Sequence, residues 1–201
     1  MRDNLKEADR LLREAGYSVK DGKRVNAKGE PFTIELLADD PTFERILLFW
    51  KPSLEKLGLI ITVRVVDPAQ YENRMRDFDF DITVDRMSFS STPGDSLRTY
   101  FSSQAAKTKG TQNLAGISDP VVDALVDSII AAKTRPELTI ACRALDRVIR
   151  AGRYWVPQWY AASHRVAYWD VFGHPPNLPK YTGVSAPDLW WSAAAGQGGS
   201  K

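Results

Sequence analysis

The N-terminal part of the chain alternates between two apolar periodicities, and this alternation restricts the fold more than any other feature. Apolar residues recur at helical spacing over 5–15 and 43–57, whereas 32–36 and 59–66 show the alternating or β-branched pattern of strands. A third alternating stretch follows at 78–84. Because helices between successive strands form crossover connections, this order predicts an α/β fold with a small, mostly parallel sheet.

Turn and capping residues separate these segments. Asp67 and Pro68 predict a further helix that extends to about Arg76, since Asp accepts a capping hydrogen bond and Pro fits the first turn. Gly22 and Gly29 predict two turns before the first strand. The densest basic group surrounds these turns and predicts a solvated turn rather than a basic interface: Lys20, Lys23, Arg24 and Lys28.

The composition changes after residue 85. Residues 1–85 are expected to form one α/β segment, whereas 86–116 are rich in serine, threonine, proline and glycine, with one short helix predicted at 96–101. Loop-rich spans of this length inside a compact chain are usually functional surfaces or crossings between lobes. Residues 86–116 are therefore the candidate region for a binding site.

The C-terminal segment, 117–192, is predicted to contain two helices, at 121–132 and 137–151. Two short strands are predicted by alternation after them, at 155–160 and 164–169. Residues 193–201 are expected to be a disordered tail.

Composition argues against several classes of function. Twenty-seven basic and twenty-five acidic residues are interspersed and leave a net charge of +2, without the Lys/Arg stripe of a nucleic-acid-binding protein. Apolar runs are shorter than a membrane helix needs, and the first residues lack the apolar middle of a secretory signal, so the chain as written is expected in the cytoplasm. Cys142 is the single cysteine and is expected to be a buried, small apolar residue.

Catalytic and metal-binding patterns are not evident. The chain has no Gly-x-Ser-x-Gly motif for a serine hydrolase, no glycine-rich phosphate loop and no metal-ligand spacing, so no cofactor or metal is predicted. His164 and His174 are far from any nucleophile motif and are expected to be structural.

A series of short motifs occurs in a consistent order: ADRLLREAGY at 8–17, DG at 21–22, LGL at 57–59, DFD at 77–79, NLAGISD at 113–119, RALDRV at 143–148, VPQW at 156–159 and RVAYWD at 165–170. In this order and spacing they resemble the C-terminal portion of the bacterial extracellular solute-binding proteins of family 5, the oligopeptide and dipeptide receptors of ABC importers. Within the family, the motifs resemble those of the YejA-like subgroup, which is associated with uptake of peptides and a peptide-nucleotide antibiotic. The resemblance covers nearly the whole chain.

The resemblance implies a type II periplasmic binding protein-like fold whose two lobes close like a hinge around an extended peptide. It implies a membrane permease as partner and a periplasmic location. By this resemblance, 1–85 correspond to most of the distal lobe and 86–116 to the hinge crossing and ligand-facing loops, with the crossing itself near 85–91. Residues 117–192 complete the other lobe.

The resemblance also implies where a peptide would bind. Residues 86–95, which we call the crossing loop, offer backbone groups, hydroxyls and aromatic surface. These groups suit a peptide ligand of varied sequence. The expected ligand-facing residues are Arg86, Ser88, Phe89, Ser90, Ser91, Asp95 and Asn113. Many receptors of the family hold the α-ammonium of the ligand with an aspartate in this loop. Here that position falls near Phe89, with Asp85 and Asp95 on either side.

Other interpretations remain open at this point. Residues 86–95 also fit an ordinary serine-rich crossing loop, and Asn113 also fits a structural turn before a helix. Taken alone, the chain is expected to be an incomplete cleft with exposed apolar patches and weak or no peptide affinity. A free-standing interaction module with an exposed Trp-rich tail and, less favoured, a small hydrolase using Ser90 or His164 are the alternative functions.

Overall fold

The computed structural model describes residues 2–87, 89, 92–161, 167–169, 171–176 and 189–192. Its contacts divide the chain into two compact units, Met1–Tyr154 and Trp155–Lys201, and each is described by itself. Several predictions fall outside the described residues: those for Ser88, Ser90, Ser91, His164 and the tail at 193–201.

The first unit begins with helix α1 (Arg2–Glu14), which confirms the helix predicted from the apolar spacing. Strands β1 (Ser18–Lys20) and β2 (Lys23–Val25) follow and pair in an antiparallel hairpin. The turn between them was predicted, but the strands were not, because three residues each are too few to show a period.

The prediction of a fully solvated basic turn is wrong for Arg24. Its side chain is buried, although Lys20, Lys23 and Lys28 are exposed. The guanidinium donates from Nε to the carbonyl of Leu57 at 2.9 Å and also forms an ion pair with a carboxylate of α1. Neither partner is near Arg24 in sequence, so the charge of the turn alone did not indicate this role.

A parallel sheet follows, with strand order β4-β3-β5. Its elements are β3 (Thr33–Ala38), α2 (Pro41–Glu55), β4 (Ile60–Val65), α3 (Pro68–Asp77) and β5 (Ile82–Thr83). This architecture confirms the predicted α/β class and the parallel sheet. Strand β5 is shorter than the alternation at 78–84 predicted, because Phe78 adopts a left-handed conformation (φ 55°) and caps α3 instead.

The core of this part lies between α2 and the sheet. Alternate residues of β3, Ile34, Leu36 and Ala38, belong to it, as the period of two predicted. Leu47 of α2 and Ile61 of β4 complete the buried centre. The core therefore holds β3 and β4 against α2.

Four helical elements complete the first unit: α4 (Leu97–Phe101), a 3₁₀ turn (Ala105–Lys107), α5 (Pro120–Ala131) and α6 (Arg135–Gly152). The three α-helices confirm the predicted helices to within two residues. Asp119 caps α5 by accepting from the N–H of Val121, and Thr134 and Glu137 form a capping box at α6. Cys142 is only partly buried, so its predicted burial holds in part.

The second unit contains one antiparallel pair among its described residues, β6 (Phe172–Gly173) with β7 (Trp191–Ser192). The predicted strand at 155–160 is wrong, because this segment is irregular and pairs with none of the described strands. Residues 167–169 of the other predicted strand are also irregular. Large aromatic side chains are exposed here, Trp159 and Trp169 among them, as the expected apolar patches require.

Among the described helices, none combines the length and the apolar character needed to cross a bilayer.

Candidate functional site

The three parallel strands end at one edge of the sheet. In the observed register, Ala38 of β3 lies beside Val65 of β4, and Leu37 lies beside Thr83 of β5. The segments that follow the strands therefore leave the sheet together. We call 39–43, 66–71 and 84–87 the carboxyl edge. In open α/β sheets, ligands bind outside the carboxyl ends of the strands, so this edge is the candidate site.

Two aspartates of the carboxyl edge cap helices. Asp40 accepts a hydrogen bond from the N–H of Thr42 at 2.7 Å, at the start of α2, and Asp67 accepts one from the N–H of Gln70 at 2.9 Å, at the start of α3. The hydrogen bonds from Thr42, with a smaller contribution from the charge of Arg86, hold the pKa of Asp40 below its ordinary value. The carboxylate of Asp40 is therefore ionised at neutral pH.

Tyr71 of α3 anchors the segment that follows β5. Its hydroxyl donates to the carbonyl of Val84 at 2.7 Å and lies 2.8 Å from the Oγ1 of Thr83. Partial burial, followed by the negative charges of Asp39 and Asp85, raises the pKa of Tyr71 above its ordinary value. The phenol therefore stays protonated and can donate to the carbonyl of Val84 throughout the physiological pH range.

Asp39 and Asp85 follow adjacent strands. If the β3–β5 register is extended by two residues beyond the Leu37–Thr83 pair, Asp39 lies beside Asp85. Both side chains are exposed, and within the described residues neither makes a hydrogen bond or an ion pair. No pattern in the sequence indicated a ligand role for Asp39. The rule that parallel strands end at one edge was the signal that could have brought the two together.

Arg86, the first predicted ligand-facing residue, lies at the carboxyl edge. Its guanidinium carbon is 5.4 Å from the centroid of the Phe43 ring, in the first turn of α2. This distance is within the range of a cation–π contact. The side chain is exposed and forms no ion pair with the described residues, so the stacked guanidinium presents its N–H groups to solvent.

Phe89 contacts a different element. Its ring centroid is 4.9 Å from that of Tyr100 and 5.9 Å from that of Phe101, both in α4. The ring of Phe89 is 49% exposed, whereas Phe101 is 5% exposed. The crossing loop is thus held at Arg86 by α2 and at Phe89 by α4.

Asp95 lies just before α4, where its carboxylate accepts from Nε of Arg98 at 3.0 Å. Arg98 also forms an ion pair with Asp127 of α5 at 2.7 Å. The hydrogen bond with Asp127 and then that with Asp95 raise the pKa of Arg98. The hydrogen bond that Arg98 donates to Asp95 connects the end of the crossing loop to α4, and a ligand contact by Asp95 stays a prediction.

Asn113 is buried and 1% exposed. Its Nδ2 donates to the carbonyls of Ser102 at 3.0 Å and Ile117 at 2.8 Å, and its Oδ1 accepts from the N–H of Ile117 at 2.9 Å. These bonds join the segment after α4 to the segment before α5. Asn113 therefore acts as a positioning residue for α4, which carries the rings that hold Phe89.

The predicted ligand-facing residues that the structure describes therefore lie in different parts of the first unit. Arg86 lies at the carboxyl edge, and Phe89 and Asp95 lie beside α4. Asn113 is buried and bonds the residue that follows α4. Within the described residues, no group of three or more His, Cys, Asp or Glu side chains is arranged to hold a metal ion.

The chain is similar to proteins of one family. The family profile described as "Bacterial extracellular solute-binding proteins, family 5 Middle" matches residues 2–109. Over 196 residues the chain is 45% identical to "Probable peptide-binding protein YejA" of Agrobacterium fabrum, an alignment that covers 97% of this chain and 32% of the relative. It is 32% identical over 189 residues to "Peptidoglycan-binding protein YepA" of the same bacterium, covering 94% and 30%. The chain thus spans about a third of the length of these curated relatives.

Solved structures with a similar fold are also known. The oligopeptide-binding protein AppA of Bacillus subtilis, in complex with a nonapeptide, superposes with a TM-score of 0.66 at 22% identity, covering 74% of this chain and 30% of AppA. DppA of Helicobacter pylori, in complex with the peptide STSA, superposes with a TM-score of 0.62 at 20% identity, covering 76% and 28%. At these identities the likeness establishes the fold of the chain.

Proposed function

The chain belongs to family 5 of the bacterial extracellular solute-binding proteins, and from this premise we propose that it supplies one wall of a peptide-binding site in the receptor of an ABC importer. The names of the YejA relative and of the peptide-bound structures support peptides as the ligand class. The family consists of solute-binding receptors, and we propose no catalytic activity for this chain.

The observation that carries this proposal is the arrangement of the crossing loop at the carboxyl edge. There, a guanidinium stacked on Phe43 and the carboxylates of Asp39 and Asp85 face solvent without ion-pair partners among the described residues. Charged groups of both signs suit the two charged termini of a peptide. A structural salt-bridge network would instead pair these charges with each other.

In the proposed mechanism, the site closes by a hinge near 85–91, and the second wall comes from the opposite lobe of the receptor. Closure is favoured by ligand contacts that exist only in the closed state. Asp95 and Asn113 then act by holding α4, and Ser88, Ser90 and Ser91 are proposed to offer hydroxyl groups to the peptide. A membrane permease is the proposed partner of the closed receptor, and the periplasm is its proposed location.

An NMR titration of the isotope-labelled chain with tri- to octapeptides tests the proposal. One wall without its opposite lobe buries little of an extended ligand, so we expect dissociation constants on the order of millimolar. Amide shift changes are expected at 39–43 and 84–89. Arg86→Gln is expected to weaken them, whereas Arg45→Gln, an exposed arginine on α2, serves as the matched control.

Three results would contradict the proposal. The first is the absence of shift changes at the carboxyl edge while peptides perturb another surface. The second is an equal effect of Arg86→Gln and Arg45→Gln, which would show that the stacked guanidinium plays no part. Low-micromolar affinity of the isolated chain would contradict the expectation that the site is only one wall.

The exposed aromatic residues of the second unit favour one other function, a protein-interaction module. Trp159 is 64% exposed and Trp169 is 82% exposed. A stable, stoichiometric complex with a separate protein in size-exclusion chromatography, lost in Trp169→Ala, would support that function. A monomer that binds peptides at the carboxyl edge would support the receptor.

A further inference from the structure

We propose that Phe89 and Tyr100 form a subsite for an aromatic side chain of the bound peptide. This inference rests on the proposed function, because it assumes that the crossing loop faces a peptide. It goes beyond that function by assigning the chemical class of one ligand side chain. We call the rings of Phe89, Tyr100 and Phe101 the aromatic wall.

The geometry of the aromatic wall is that of a corner. The rings of Phe89 and Tyr100 are tilted by 59° with centroids 4.9 Å apart, and those of Tyr100 and Phe101 are tilted by 45° with centroids 6.0 Å apart. Phe89 and Phe101 are closer to parallel, at 26°. A further ring placed against Phe89 and Tyr100 can therefore stack on one and meet the other edge-on, the two arrangements that aromatic rings prefer.

Burial within the aromatic wall increases from solvent to core. Phe89 is 49% exposed, Tyr100 is partly buried and Phe101 is 5% exposed. The outer rings thus offer apolar area next to a ring that is already part of the core. An aromatic ligand side chain would bury the exposed half of Phe89 and gain its hydrophobic free energy.

The aromatic wall is held in place from behind. Asn113 donates to the carbonyl of Ser102, the residue that follows α4, and the N–H of Ser103 donates to the carboxylate of Asp123 on α5 at 2.8 Å. A binding surface whose side chains are already ordered loses less conformational entropy when the ligand arrives. These bonds hold the end of α4, the helix that carries the rings of Tyr100 and Phe101.

The charges around the aromatic wall favour an uncharged ligand group. The nearest cation in α4, Arg98, is paired with Asp95 and Asp127. Its charge is offset by these carboxylates, so a ligand carboxylate finds no unpaired cation within α4. A tyrosine, phenylalanine or tryptophan side chain matches the surface better than a carboxylate.

The test compares tetra-alanine with tetrapeptides in which a single alanine is replaced by phenylalanine. Each position of the peptide is replaced in turn. We expect one phenylalanine position to bind the full chain roughly 3- to 10-fold more tightly than tetra-alanine, measured by NMR titration. Phe89→Ala is expected to remove this preference. Phe89→Leu keeps apolar bulk without the ring and should retain only part of it.

Phe49 provides the matched control. It is 85% exposed on α2 and makes no ring contact within the described residues, so Phe49→Ala should leave the preference unchanged. Thermal unfolding of each variant shows whether the fold is intact. If Phe89→Ala does not fold, the preference for the phenylalanine peptide is compared between Phe89→Leu and the unaltered chain. An unchanged preference in Phe89→Leu would contradict the subsite.

The outcomes separate this inference from the proposed function. If tetra-alanine perturbs the carboxyl edge but no phenylalanine position binds more tightly, the aromatic subsite is wrong and the receptor function stands. If a lysine at the same position binds as well as phenylalanine, the aromatic class is wrong. If neither peptide perturbs the edge, both proposals fail.

Discussion

The carboxylate of Asp9 on α1 forms an ion pair with the guanidinium of Arg24 in the β1–β2 hairpin, and the Arg24 side chain is 1% exposed. Asp9 is itself 32% exposed and is shared with the exposed Arg13. No residue of α1 is fully buried, and this ion pair connects the helix to the hairpin.

From this contact we expect Asp9→Asn to lower the free energy of unfolding by on the order of 2 kcal/mol, because it leaves a buried guanidinium without a carboxylate. Urea unfolding followed by circular dichroism measures the change. Arg13→Gln removes only the exposed partner and should change stability by less than about 0.5 kcal/mol. Equal effects of the two substitutions would show that the buried pair does not stabilise α1.

Gly58 gives a second prediction. It has a φ of +84°, and a Cβ added there would lie 2.9 Å from the backbone N of Arg24. Gly29 has the same φ of +84°, but a Cβ there would meet nothing within 4 Å. Replacing either glycine by alanine costs about 1 kcal/mol, because the backbone is left-handed. In Gly58→Ala the β1–β2 hairpin must also shift, because the Cβ is too close to the backbone of Arg24.

The measurement for this pair is the thermal midpoint of each variant. Gly58→Ala should lower it clearly more than Gly29→Ala. A similar shift for both would mean that the hairpin moves freely to accept the Cβ.

Asn113 gives a third prediction, which concerns its two donated hydrogen bonds. Asn113→Asp replaces the Nδ2 donor by an acceptor that faces the carbonyls of Ser102 and Ile117, so we expect a loss of stability on the order of 3 kcal/mol. Chemical unfolding at neutral pH measures it. Asn73→Asp, on the exposed surface of α3, is the matched control and should change stability little. If Asn113→Asp is also neutral, the amide does not join α4 to α5.

The fourth prediction concerns acid. The folded-state pKa of Asp40 is depressed, so its contribution to stability is complete above its unfolded pKa of about 4 and is lost as the pH falls through the folded pKa. Stability should therefore fall as the pH drops below about 4, and less steeply in Asp40→Asn, which can still cap α2.

Urea midpoints across this range measure the effect. Asp3→Asn, whose carboxylate is 96% exposed, should leave the slope unchanged. If Asp40→Asn retains the full slope, the acid sensitivity belongs to other carboxylates. Asp9 is the first of these to examine, because hydrogen bonding to Arg24 holds its pKa below the ordinary value.

The helices and most of the sheet could be predicted from local sequence. The apolar spacing in α1, α2 and α5 and the capping residues Asp67 and Asp119 lie within a few positions of the elements they define. The structural alternative for Asn113 could also be predicted, since an asparagine before a helix commonly bonds the backbone nearby. These features depend on neighbours in sequence, which a single chain displays directly.

The candidate site could be predicted only in part. The sequence indicated the crossing loop, including Arg86 and Phe89, but not the rings that hold them. Phe43 and Tyr100 lie on helices on opposite sides of the loop in sequence. The wrong strand at 155–160 has a related cause, because alternation predicts a strand only if another strand is present to pair with it.

By itself, the sequence determined the order of helices and strands and the family motifs, because periodicity and capping act over short distances along the chain. Only the tertiary structure decided that Arg24 is buried, that β3 and β5 are neighbours in a parallel sheet and that Phe89 rests on α4. Each of these depends on strand register or on packing between separate elements. Such contacts form between residues far apart in sequence, and the pattern around either residue alone does not record its partner.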